Sequence, residues 1–107
     1  MEYSLLIVTC PDARTATSIA RRLVADRLAA CGNVTAPVKS IYRWKGRVHL
    51  DAEVLLLVKT RKSLVRRCVT SVRAMHPYEL PEIIALPIVA GLEEYLAWVR
   101  SETSGRR

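Results

Sequence analysis

Apolar and polar positions change their period several times along the chain, and each change predicts an element. Tyr3 to Cys10 is an apolar run closed by Pro11-Asp12, which predicts a first strand. From Asp12 the spacing becomes helical. Ala16, Ile19, Ala20, Leu23, Val24, Leu28 and Cys31 share one face, with Arg14, Arg21, Arg22 and Arg27 opposite. Asp12 is placed to cap this helix, because its carboxylate can accept from the free amides of the first turn. Gly32-Asn33 is expected to end it. Asn33 to Val38 then leads into the next strand, with Pro37 predicting a bend or an edge position.

Residues 38–44 and 47–60 read as the two arms of a hairpin. Gly46 supplies the positive φ that a two-residue turn demands, and Lys45 is a tolerable partner. The return arm closes in Val54-Leu55-Leu56-Leu57-Val58, a run suited to a strand covered on both faces. At about 14 residues it is roughly twice the usual strand length. The surplus is expected to pair or pack outside the protomer.

After Thr60, Leu64, Val65, Cys68, Val69, Val72 and Met75 form a second helical face, with Arg61, Lys62, Arg66, Arg67 and Arg73 on the outside. Pro77 ends this helix, since the residue before proline avoids the helical region. A proline-bracketed loop, residues 76–82 (HPYELPE), leads to a short strand at 83–88. The last helix starts near Gly91-Leu92-Glu93-Glu94, two carboxylates lying at its positive end. Leu92, Tyr95, Leu96 and Val99 are its expected inner face, and residues 101–107 its frayed polar tail. The order β-α-β-β-α-β plus a terminal helix predicts an α+β, ferredoxin-like domain over residues 1–107, with two helices on one face of an antiparallel-rich sheet.

Composition, charge and cysteine usage bound this picture. Hydrophobic residues are 50% of the 107 and aromatics 6%, with no Phe, so the core must come from Val, Leu, Ile and Ala. The formal net charge is +7, which invites a nucleic-acid reading. The basic residues are spread over the solvated faces of two helices, however, with no stacking platform or arginine-rich arm, so nucleic acid is not an expected partner. No apolar run approaches the roughly 18 residues of a membrane span, and the N-terminus shows no basic leader or cleavage site. Three widely spaced cysteines, Cys10, Cys31 and Cys68, argue against a disulfide framework and for a reducing cytoplasm.

Candidate chemistry is sparse. His76 has Glu79 and Glu82 close by, a set that could serve a divalent transition metal; equally, His76 could end a helix and hydrogen-bond a loop backbone. Cys10 and Cys31 could be soft metal ligands, whereas Cys31 and Cys68 on inner helix faces would behave as small hydrophobes. Cys10 and His76 are the least buried candidates for a nucleophilic pair, but nothing identifies a third, orienting group. No phosphate loop, HExxH or GxSxG is present, so catalysis is not expected.

Several words of the sequence, in this order and spacing, resemble the CutA family: Thr9-Cys10-Pro11-Asp12, Leu28-Ala29-Ala30-Cys31-Gly32-Asn33, residues 40–46 (SIYRWKG), residues 53–60 (EVLLLVKT), HPYELPE at 76–82, and Tyr95-Leu96 followed by Trp98. The resemblance covers essentially the whole chain. It implies a ferredoxin-like protomer in a homotrimer, with the hairpins crossing subunit boundaries. It also implies a role in tolerance of divalent cations, copper among them, and a structural similarity to PII signalling proteins. On that assembly Tyr42, Trp44, Lys59, Tyr78, Glu82 and Trp98 are expected to meet in a cleft between subunits. Such a cleft could hold a small effector. The same aromatics could instead be interface anchors. The expectation is a protein that acts by binding, either a copper or other divalent ion through Cys10, Cys31, His76, Glu79 and Glu82, or a PII-like effector in the cleft.

Overall fold

The computed structural model describes residues 2–103, and the apolar run that opens the sequence becomes its central strand, β1 (Tyr3–Cys10). Pro11 stops the strand, and the Asp12 carboxylate accepts from the Thr15 backbone amide at 2.8 Å to start α1 (Ala13–Ala25). There follow β2 (Cys31–Val34), β3 (Val38–Trp44), β4 (Arg47–Arg61), a 3-10 turn (Lys62–Leu64), α2 (Val65–Met75), β5 (Ile83–Ile88) and α3 (Glu93–Glu102). The fold is α+β, with antiparallel strands and three helices.

The sheet order is β2-β4-β1-β5, so each strand–helix–strand unit skips over one strand inserted between its ends. β3 pairs with the outer half of β4, from Val38 opposite Glu53 to Trp44 opposite Arg47. The turn between them has φ 53° at Lys45 and 79° at Gly46, the positive pair a tight hairpin needs. Alternation then sorts the side chains. Leu6, Val8, Val54, Leu56 and Val58 point to one face and are buried with Ala16, Ile19 and Leu23 of α1 and Cys68 and Val72 of α2.

The opposite face is apolar too, and largely uncovered within the chain. Register puts Ile7 opposite both Leu57 and Ile84, and Leu5 opposite Leu86. Ile84 and Leu86 are more than two-fifths exposed. The run from Val54 to Val58 is therefore fully buried only on its helix side, where two-sided cover was expected. At one end of this open face Arg61 donates to the side chain and carbonyl of Thr103, which brings the end of α3 against β4.

Four expectations from the sequence are corrected. The first helix ends at Ala25 and not at Cys31. Arg27 adopts φ 57°, and the amides of Leu28 and Ala29 both turn back to the Leu23 carbonyl, which closes the helix without a glycine. Leu28, Ala29 and Ala30 are buried in the connection, which is why they continue the apolar phase. Gly32 lies in β2, where a Cβ would come 3.0 Å from that of Ala20; it allows close packing and does not stop a helix. On α3 only Val99 of the expected inner face is buried, with Leu92 and Tyr95 exposed. Ser101 and Glu102 continue α3 and Thr103 is buried, so the expected tail loses its first three residues; residues 104–107 lie outside those described.

Candidate functional site

The hairpin and the HPYELPE loop enclose the groove that carries most of the polar chemistry. The loop takes its path because α2 must end before Pro77: His76 is already extended, with φ −81° and ψ 135°. Thr9 at the end of β1 then anchors it three times. Its amide donates to the Glu82 carbonyl at 3.4 Å, its hydroxyl donates to Glu82 Oε1 at 2.7 Å, and its carbonyl accepts from His76 Nε2 at 2.8 Å. His76 is buried, and its Nδ1 accepts from the Tyr78 amide at 3.1 Å. Both ring nitrogens are thus committed to backbone, one as donor and one as acceptor, which is the neutral ring.

Tyr78 reaches from the loop onto β4, where its hydroxyl donates to Glu53 Oε2 at 2.6 Å. Tyr42 on β3 donates to Asp51, and its ring stacks on His49 with centroids 5.3 Å apart. The phenol of Tyr78 is pushed well above its usual range by desolvation first and by the bond to Glu53 second. That of Tyr42 is raised by its bond to Asp51. Both phenols therefore stay protonated and donate. The resulting groove has a volume of about 650 Å³. Its lining includes Tyr42, Trp44 and Tyr78 with Leu80. Its charged residues are Asp51, Glu53, Glu79 and Glu82 with Arg43, and Thr9 and Ser40 are its other polar residues.

Of the six residues expected in one cleft, Tyr42, Trp44, Tyr78 and Glu82 line this groove, and they do so within one chain. Lys59 and Trp98 do not. Lys59 lies opposite Cys31 and donates to Asn33, and Trp98 packs on Tyr95 with centroids 5.5 Å apart. Asp51, Glu53 and Thr9 were missed by sequence reasoning. Asp51 and Glu53 alternate on one side of β4, so the strand period was the available signal.

The family model for the CutA1 divalent ion tolerance protein matches residues 4–102. The chain belongs to the CutA1 divalent ion tolerance family. It is 49% identical over 100 residues to Protein CutA of Homo sapiens, covering 94% of this chain and 56% of that protein, so it spans little more than half of that relative. It is 48% identical over 99 residues to the divalent-cation tolerance protein CutA of Thermus thermophilus, covering 92% of this chain and 96% of that one. The crystal structure of CutA from Xylella fastidiosa superposes with a TM-score of 0.94 at 41% identity, covering 97% of this chain and 100% of that one.

The family description makes metal ligation the first question to put to the geometry. Among the described residues no three His, Cys, Asp or Glu side chains converge on a common point. Cys10, expected to be accessible, is fully buried, and burial followed by the charges of Asp12 and Glu53 pushes its thiol up to about 11. His76, offered by the sequence either as a ligand or as a helix-ending residue bonded to loop backbone, takes the second arrangement here and would have to break two backbone hydrogen bonds to ligate. Cys31 sits on β2, half-buried, its thiol 3.8 Å from Asn33 Oδ1, and not on a helix. Glu79 is exposed beside Lys45 at 3.9 Å, and Glu82 is held by Thr9. The soft and imidazole donors of one chain are therefore apart and otherwise engaged, and a preformed copper centre does not fit them.

Proposed function

We propose that this member of the CutA1 family acts by reversible binding and not by catalysis, as a single-domain, ferredoxin-like protomer of a cytoplasmic homotrimer, and that its ligand site is the hairpin groove. The observation that carries the reading is a charge contrast. Four acidic residues and one arginine line the groove, with Lys45 beside Glu79, in a chain whose net charge is +7. Such a cavity attracts a positively charged guest, and its volume lies in the range of small-ligand sites. The divalent ion named in the family description is one such guest, copper included. The carboxylate and phenol oxygens on offer suit harder ions better than the soft donors would. A PII-like sensor, whose guest alters contact with a protein partner, uses the same groove and is the second form of the reading.

The trimer rests on the resemblance and on the uncovered apolar face around Ile7, Leu57, Ile84 and Leu86, together with Ile41, Val48 and Leu50 exposed on the hairpin. Patches of this kind mark interfaces. The three free cysteines favour the cytoplasm. No helix among the described residues is long and apolar enough to cross a membrane.

Calorimetric titration with Mn2+, Cu2+ and a panel of cationic metabolites tests the groove. Saturable binding is expected in the unaltered protein, weakened about tenfold or more by Asp51→Asn with Glu82→Gln, since each removes one charge-assisted contact. Binding that is absent, or equal in the double variant, would remove the proposal.

A further inference from the structure

Resting on that reading, we infer that the guest of the groove is an organic polyamine and not a bare metal ion: a chain of methylenes carrying primary ammonium groups. The first reason is how the carboxylates are already used. Asp51 accepts from Tyr42, Glu53 from Tyr78 and Glu82 from Thr9. Each carboxylate keeps further lone pairs free for an N–H donor. The same bonds hold the carboxylates apart, and among the described residues they do not gather three to a point as an ion requires. An elongated guest with separated charges can meet them one at a time.

The second reason is the wall between the charges. Tyr42, Trp44 and Tyr78 present aromatic surface, with Leu80 beside them, in a cavity of about 650 Å³. A hydrated ion gains nothing from apolar surface, whereas methylenes bury against it and ammonium groups are attracted to ring faces.

The third reason is an ammonium that already neighbours two residues of the lining. Lys45, at the hairpin turn, places its Nζ 5.6 Å from the centroid of the Trp44 ring and 3.9 Å from Glu79 Oε1. It sits on a four-carbon stem, which is the shape of half a diamine. The backbone reaches this position through the positive φ of 53° at Lys45 itself. An aromatic ring and a carboxylate that both line the groove thus already share a primary ammonium between them. The lysine is loosely held, more than two-thirds of its side chain being exposed, so an incoming amine can displace it.

The test is calorimetric titration of the whole chain with spermidine, with Mg2+ and Mn2+ as inorganic arms, at constant ionic strength. Spermidine is expected to bind about tenfold more tightly than either ion, a margin set by ring and methylene contacts that an ion cannot make. Trp44→Ala should weaken it about fivefold and leave Mn2+ unchanged. Lys45→Ala, at an exposed turn position that cannot unfold the core, should tighten it about threefold by removing the internal competitor. Spermidine no tighter than Mg2+, or indifferent to both substitutions, overturns the inference. Saturable Mn2+ binding lost in Asp51→Asn would then keep the groove as a cation site while rejecting the amine. No cation binding of any kind would reject both.

Discussion

Burial pushes the thiols of Cys10 and Cys68 from 9.0 up to about 11, and in both the loss of solvent is the largest cause. Cys10 closes β1 beneath the helices, and Cys68 sits on the inner side of α2 with its thiol 3.2 Å from the Leu28 carbonyl. Both groups hold their protons more tightly in the folded chain than in the unfolded one. Where the unfolded thiols ionise first, the folded state binds more protons, so stability falls as pH rises. The contribution is whole below pH 9.0 and is lost through about 11. Urea denaturation at pH 8, 9.5 and 10.5 should show a midpoint that drops over this window. Cys68→Ala should have a lower midpoint at pH 8, from the cavity it leaves, and a visibly flatter pH dependence. An equal slope in the variant would mean that Cys68 does not titrate with folding. Tyr78, raised by desolvation and Glu53, adds a loss in the same direction at still higher pH.

Between elements, α1 passes close to β2 at Gly32. A Cβ at Gly32 would lie 3.0 Å from Ala20 Cβ and 3.3 Å from Leu56 Cδ1, and Ala20 cannot swing aside because its Cβ is fixed to the helix. Gly32→Ala should therefore destabilise the chain by about 1–3 kcal/mol, an overpacking cost. Ala20→Gly alone should cost about 1 kcal/mol in helix propensity. Combined, the two should cost less than their sum, and a denaturation cycle with no such coupling would show that the strand moves away instead. This glycine also shows where the sequence was legible and where it was not. β1, the hairpin and α2 follow from periodicity because Asp12, Gly46 and Pro77 mark their limits by local chemistry. The end of α1 is set by a non-glycine residue, Arg27, at positive φ, and residues 28–30 stay buried in the apolar phase of a helix they do not join. The aromatics of the groove stood out as motif words. Asp51 did not, and Glu53 opened a motif word without being read as a site residue, since on a strand both read as solvated charge until the loop brings Tyr78 onto Glu53. Lys59 was expected to join the aromatics in a cleft between subunits; within one chain it lies on β4 opposite Leu5, six residues beyond Glu53.

For the molecule as a whole, the two faces of the sheet pose different problems. One is sealed by α1 and α2, whose outer surfaces carry exposed Arg14, Arg21, Arg22, Arg66, Arg67 and Arg73, so much of the positive charge lies away from the groove. The other face offers Leu5, Ile7, Leu55, Leu57, Ile84 and Leu86 with little cover from its own chain. β5 is an edge strand besides, and β4 beyond Val54 pairs with β3 alone, so both leave backbone groups open to another chain. A charge placed on this face separates the alternatives. Ile84 is 48% exposed in the protomer, so Ile84→Glu should cost the isolated fold about 1 kcal/mol or less. If copies bury the face against one another, the same substitution buries an unpaired carboxylate in each, a cost of several kcal/mol per subunit. Light scattering at micromolar concentration should then give about three times the 12.0 kDa chain mass for the unaltered protein and the chain mass itself for the variant, both with the same far-ultraviolet circular dichroism. A variant that keeps the larger mass would place the interface elsewhere, and an unaltered protein of 12.0 kDa would remove the trimer altogether.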